Sequence, residues 1–165
     1  MKFIKWKSLA ITCIACLVSI IPGILLWNKL PESVAIHFNF KGEPDNFAPK
    51  VFVVFGLPLI MAAIQIFCCV INDINAAKHG NRVKFERVTK WIIPVITFVL
   101  QIATLTYGTG VNLDMRRVAT VIVGIIFIII GNYLPKFDYI KNYDIDSEKA
   151  IKINRFLGFG NVIMG

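Results

Sequence analysis

The sequence predicts an all-α membrane protein, an up-down four-helix transmembrane bundle with a short hairpin-like extracellular loop. Three observations carry that expectation. The chain is 56% hydrophobic and only 17% charged, whereas soluble domains are about 45–50% apolar and about 25% charged. Four apolar stretches, roughly residues 9–27, 51–71, 91–111 and 118–134, approach the ~20 residues that a membrane crossing takes. None of the four contains Asp, Glu, Lys, Arg or His. Finally, the basic residues segregate to alternate sides, so that residues 1–165 read as a single membrane domain.

The N-terminal tail carries Lys2, Lys5 and Lys7, and the first apolar run follows it. A signal peptide has a basic start too, but its apolar core is about 7–15 residues and a small-residue cleavage site follows. Here the run is longer, no such site follows it, and Trp27 and Lys29 read as interfacial anchors. The first run is therefore expected to stay as a helix. Pro22-Gly23 should bend it, and Pro58 should bend the second at a similar depth.

Residues 28–50 link these two helices. Val34, Ile36 and Phe38 alternate with Ala35, His37 and Asn39, a period-two strand signal. The stretch "NFKGEPD" supplies turn residues. "DNFAPK" then reads as a helix entry, with Asp45 or Asn46 as cap and Pro49 in the first turn. His37, Glu43 and Asp45 lack metal-ligand spacing, so no metal or other cofactor is expected. A hydrogen bond from His37 across the turn is the simpler role. No nucleophile or base completes a catalytic set, so the chain is not expected to be an enzyme.

The segment 72–90 after the second helix holds Lys78, Arg82, Lys84, Arg87 and Lys90, and residues 135–165 hold five more basic residues. With the N-terminal lysines this side has thirteen Lys and Arg, and the other side five. Cytoplasmic loops carry the positive excess. The N-terminus, 72–90 and the tail are thus expected on the cytoplasmic side of a bacterial cell membrane, with 28–50 outside the cell. The net charge of +8 follows from this asymmetry and does not call for nucleic acid. The five basic residues of 72–90 form a surface for anionic lipid or a soluble partner.

Within the spans, small and polar residues recur on one helical face. They are Thr12, Cys16, Ser19 and Gly23; Pro58, Ala62, Gln65 and Cys69; Thr97, Gln101, Thr104 and Gly108; and Thr120, Gly124 and Gly131. Such stripes let membrane helices approach and bond. Gln65 and Gln101 stand out, because an amide in hydrocarbon must find a partner. They are expected to bond each other as an intramembrane polar pair, or to line a polar path. Pro94 is placed near a helix start. The four cysteines, Cys13, Cys16, Cys68 and Cys69, read as small packing residues.

The stretch "LPESVAIHFNFKGEPDNFAPK" resembles the outer-loop signature of the SdpI family of bacterial membrane proteins. The resemblance rests on Leu30, Pro31, Val34, His37, Phe38, Asn39, Gly42, Pro44, Asp45 and Lys50. "GNYLPK" (Gly131 to Lys136) is a second match, and "SEKAIKINRF" resembles the family's approach to a fifth helix, here expected to begin at about residues 156–165. Only "DID" separates Tyr143 from Ser147, where family members usually carry a longer stretch, and the chain reads as shortened at its C-terminus. The resemblance implies a non-enzymatic immunity or signalling protein. Such a protein meets a secreted toxic peptide outside and holds a repressor inside. It makes His37, Asn39, Gly42, Pro44, Asp45 and Lys50 the expected ligand contacts. A small transporter or channel subunit, which would need to form an oligomer, and an accessory subunit of a larger complex are the competing expectations.

Overall fold

The computed structural model of the chain describes residues 4–79, 83–133 and 147–164. The regular structure of these residues is helical apart from one two-stranded sheet. Helix α1 covers Trp6–Val18 and α2 covers Ile20–Leu25, followed by a 3₁₀ turn at Trp27–Lys29. Strands β1 (Ser33–Phe38) and β2 (Pro44–Pro49) form an antiparallel hairpin. A π-helical turn at Phe52–Gly56 leads into α3, Leu57–His79. Then come α4 (Val83–Gly108), α5 (Met115–Tyr133) and α6 (Ser147–Met164). Among the described residues, four stretches are long and apolar enough to cross a membrane: Trp6–Leu25, Phe52–Lys78, Arg87–Gly108 and Met115–Asn132.

The chain divides into two compact units, Met1–Arg116 and Arg117–Gly165. In the first, α1, α3 and α4 pack pairwise against one another. The buried positions of α1 to α3 are the small and polar stripe, Thr12, Cys16, Ser19 and Gly23 with Pro58, Ala62, Gln65 and Cys69, together with Asp73. In α4 the stripe holds at Thr97 and Gln101, while Ala103 and Leu105 are buried where Thr104 is only half-buried. Large apolar residues such as Ile14, Leu25, Leu59, Phe67 and Val95 are exposed. Polar groups inside and aliphatic groups outside is the distribution a lipid solvent selects. In the second unit, Gly124 and Gly131 are buried and Thr120 is exposed.

Three expectations about helix boundaries change. The first span breaks at Ser19, because Pro22 has no N–H for the Val18 carbonyl and its ring crowds that carbonyl. Ser19 remains tied to the preceding turn, its Oγ donating to the Cys16 carbonyl at 2.6 Å. The second and third helices run well past residues 71 and 91, so most of 72–90 is helix rather than loop. Polar contacts between these extensions account for that, including Asn72 Nδ2 donating to Thr89 Oγ1 at 2.6 Å. The last helix starts at Ser147, not at residue 156.

"DNFAPK" is also corrected, since Pro44–Pro49 is a strand. Its partner decides this: Val34 faces Ala48 and Ser33 faces Pro49, so the β1 apolar pattern recruits the segment as a second strand. Both prolines sit at strand ends, where a missing donor is tolerated. The hairpin covers one end of the first unit. Beneath it Leu30, Val34, Ala48, Val53, Val54 and Leu105 form the apolar core, with Trp27 and Phe55 packed at its edge.

Two glycines set close approaches around this core. A Cβ on Gly23 would lie 2.6 Å from Val54 Cγ1, so the bare backbone of α2 at Gly23 makes room for the Val54 side chain of the π turn. Gly42 has φ +83° and forms the hairpin turn, a conformation that L side chains resist. Gly23→Val should therefore lower stability by about 1–3 kcal/mol, the usual range for overpacking a close contact. The check is thermal melting in mild detergent; an unchanged melting temperature would contradict the close packing.

Candidate functional site

The polar residues of the first unit gather in three places: the hairpin, the middle of the α3–α4 seam, and the seam end away from the hairpin. In the hairpin, Asn39 organises the turn. Its Oδ1 accepts the Lys41 and Glu43 backbone N–H groups at 2.8 and 3.1 Å, and its Nδ2 donates to Glu43 Oε2 at 3.1 Å. This is the self-capping turn that short amide side chains favour. His37 Nδ1 and Asp45 Oδ1 lie 2.5 Å apart across the strands, both exposed. Lys50 Nζ donates to Glu32 Oε1 at 2.7 Å and sits 5.0 Å above the Trp27 ring. Pro44 pairs with Phe38 at the start of β2.

The six expected ligand-contact residues therefore divide. Asn39, Gly42, Pro44 and Lys50 are engaged in holding the hairpin's own shape. His37 and Asp45 are bonded to each other yet remain open to solvent, beside the exposed Phe47. The hairpin is docked on α4 through an edge-to-face contact of Phe38 with Tyr107, centroids 4.9 Å apart. Leu30 and Val34 lie where a Cβ on Gly108 would be 3.0 and 3.2 Å from them.

In the seam, Gln65 and Gln101 are both buried, but they do not form a pair. Gln65 Nε2 donates to the Lys90 carbonyl at 2.8 Å and to Cys69 Sγ at 3.1 Å. Gln101 Nε2 donates to the Val53 carbonyl at 2.9 Å. Both acceptors are carbonyls that a proline has freed. Pro94 lies inside α4, not near its start, and lacks the N–H that would bond Lys90 O four residues back. Near Pro58 the backbone is in π register, with Leu57 N–H bonded to Phe52 O. The next carbonyl in that register, Val53 O, points to residue 58, which has no N–H either. Each helix thus supplies the amide that answers the other's proline. Gln65 Oε1 is buried with no partner among the described residues.

At the far end, Lys90 contradicts its expected place on a lipid or partner surface. It is 3% exposed, and its Nζ donates to Asp73 Oδ1 at 2.5 Å. Its carbonyl lies at the level of Gln65, while its ammonium reaches Asp73, about two turns further along α3. The side chain runs toward the polar end of the span, as long cationic side chains in membranes do. Asp73 Oδ2 also accepts the Lys5 backbone N–H at 3.0 Å. Lys5 is the N-cap of α1 and lacks a side-chain cap of its own, so Asp73 supplies a negative cap from another helix. Sequence reading missed this site because it places Asp73 and Lys90 in a loop. The signal was present: Gln65, Cys69 and Asp73 share one helical face.

Of the other four basic residues of 72–90, Lys78 and Arg87 are exposed. Arg82 and the Lys84 side chain lie outside the described residues. So do Leu134 to Lys136 of the "GNYLPK" stretch.

Breaking the charge pair should be costly and removing it should not. Lys90→Met removes the ammonium bonded to the buried Asp73 carboxylate, a change worth about 3–5 kcal/mol in buried pairs. Asp73→Asn with Lys90→Met should recover most of that loss in melting temperature. A double variant as damaged as the two single variants together would show that the residues do not act as a pair.

Residues 14–62 match the model of a family described as a domain of unknown function (DUF1648); they hold part of α1, all of α2, the hairpin, the π turn and the start of α3. No curated protein and no solved structure matches the chain.

Proposed function

We propose that the protein is a non-enzymatic membrane protein that meets a secreted, membrane-active peptide at its hairpin and confers immunity to it or senses it. The observation that carries this reading is the hairpin's construction. Its polar residues are used internally, fixing a rigid platform with an open surface of His37, Asp45 and Phe47. Rigid, exposed aromatic and charged groups are what peptide-binding surfaces employ. The resemblance of Leu30–Lys50 to the SdpI outer loop supports the same reading, and the positive-inside rule puts the hairpin outside a bacterial cell membrane.

A route exists from platform to opposite end. The hairpin rests on α4, Gln101 ties α4 to the π turn, and Gln65 and Lys90 tie the same two helices further down. A ligand that shifts the hairpin acts on a pair of helices coupled at several levels. The exposed Lys78 and Arg87 at the far end would be where a cytoplasmic regulator docks. A transport path along the two glutamines is the weaker reading, since both amide N–H groups are committed to backbone carbonyls.

Expression in a peptide-sensitive bacterium should raise the inhibitory concentration of at least one secreted membrane-active peptide. Asp45→Ala, His37→Ala and Phe47→Ala should each lower that protection severalfold while leaving the melting temperature close to wild type. No change in sensitivity across a broad peptide panel would contradict the reading.

A further inference from the structure

The hairpin turn carries a feature that the peptide platform does not use. Phe40 is fully exposed, at 103% of its reference area, and Lys41 beside it is exposed as well. An aromatic residue at the tip of a turn otherwise built from Asn, Lys and Gly gains nothing from packing within the fold. Its height relative to the membrane can be read from the contacts around it.

Strand β1 has six residues, about 20 Å of extended chain at ~3.3 Å per residue. Standing upright, it would lift its turn that far beyond the helix ends. Instead it meets the end of α4 at both of its own ends, through Val34 and Phe38. Leu30 and Val34 lie against Gly108, Phe38 against Tyr107, and Gly42 against Arg116, whose Nε would be 2.8 Å from a Cβ at that glycine. Tyr107 and Gly108 close the span Arg87–Gly108. The segment from Leu30 to Phe38 consequently stays at the end of that span, and the turn at Asn39–Gly42 follows directly from it.

That level is the interfacial layer of a bilayer, which extends a few ångströms beyond the hydrocarbon on each side. The apolar exposure at this end is continuous with the lipid-facing helices: Ile24 and Leu25 end α2, and Val51 and Phe52 open the π turn, all exposed. Aromatic rings and lysines are the side chains that settle in this layer, ring among the upper acyl chains and ammonium among phosphates.

We propose that the hairpin turn is a membrane-interface anchor, with the Phe40 ring seated in the lipid interface and Lys41 directed to lipid phosphate. This goes beyond the peptide-binding reading and does not depend on it. The anchor holds the platform flat, so that His37, Asp45 and Phe47 are presented at the membrane surface.

The test places p-trifluoromethyl-phenylalanine at position 40 of the full chain in nanodiscs of phosphatidylcholine and phosphatidylglycerol. Because Phe40 packs against nothing, the label should leave the melting temperature unchanged. Fluorine relaxation should then be enhanced severalfold more by dissolved oxygen, which concentrates in lipid, than by an aqueous nickel chelate. Stronger enhancement by nickel than by oxygen would overturn the proposal. A label that is nickel-accessible until a membrane-active peptide is added would also overturn it and assign the tip to the peptide.

Discussion

A proline inside a membrane helix leaves a carbonyl with no donor, in a solvent that offers none. Two such carbonyls, Val53 O and Lys90 O, organise the pair α3 and α4. Each is answered by a glutamine of the opposite helix, Gln101 and Gln65. The exchange fixes the helices' relative height at two points, because an amide donates well over only a few tenths of an ångström. Aliphatic packing in lipid has no comparable register, since lipid tails are as apolar as leucine.

Other features of the first unit follow from that register. Setting Lys90 O beside Gln65 sends the Lys90 side chain toward Asp73, and Asp73 in turn holds the peptide N–H of Lys5, the N-cap of α1. Three helices thus share one carboxylate at the end away from the hairpin. At the hairpin end, holding the π turn against α4 brings Val53, Val54 and Leu105 together, and the hairpin closes over them. Gly23 lets α2 reach the same place. Charge and amide chemistry govern one end, while apolar contact under a small sheet governs the other.

Much of this is legible in the sequence. The four spans, the hairpin's first strand and turn, and the small-residue stripe all follow from hydropathy and periodicity, because lipid enforces those patterns strongly. The parts that were not legible depend on partners distant in the chain. "DNFAPK" has a good helix entry by local rules, yet Val34 and Ser33 draft it into a strand. Gln65 and Gln101 were recognisable as expensive, but their partners are backbone carbonyls, whose need arises only once Pro58 and Pro94 lie inside continuous helices. Asp73 and Lys90 were hidden for the same reason: their helices outlast the apolar runs, so an ion pair in the seam looked like two loop charges. Within the candidate site, His37 and Asp45 follow from the resemblance of the outer loop, whereas Phe47 and Phe40 matter only because the fold leaves them exposed.

The most direct measurement is a double-mutant cycle between Gln65 and Pro94 in thermal or denaturant melts of the full chain. Gln65→Leu alone should cost about 1–3 kcal/mol, the penalty for an unanswered buried polar group. In a Pro94→Ala background, where residue 94 can donate to Lys90 O itself, the same change should cost much less. Equal losses in the two backgrounds would contradict the claim that the glutamine is there to answer the proline.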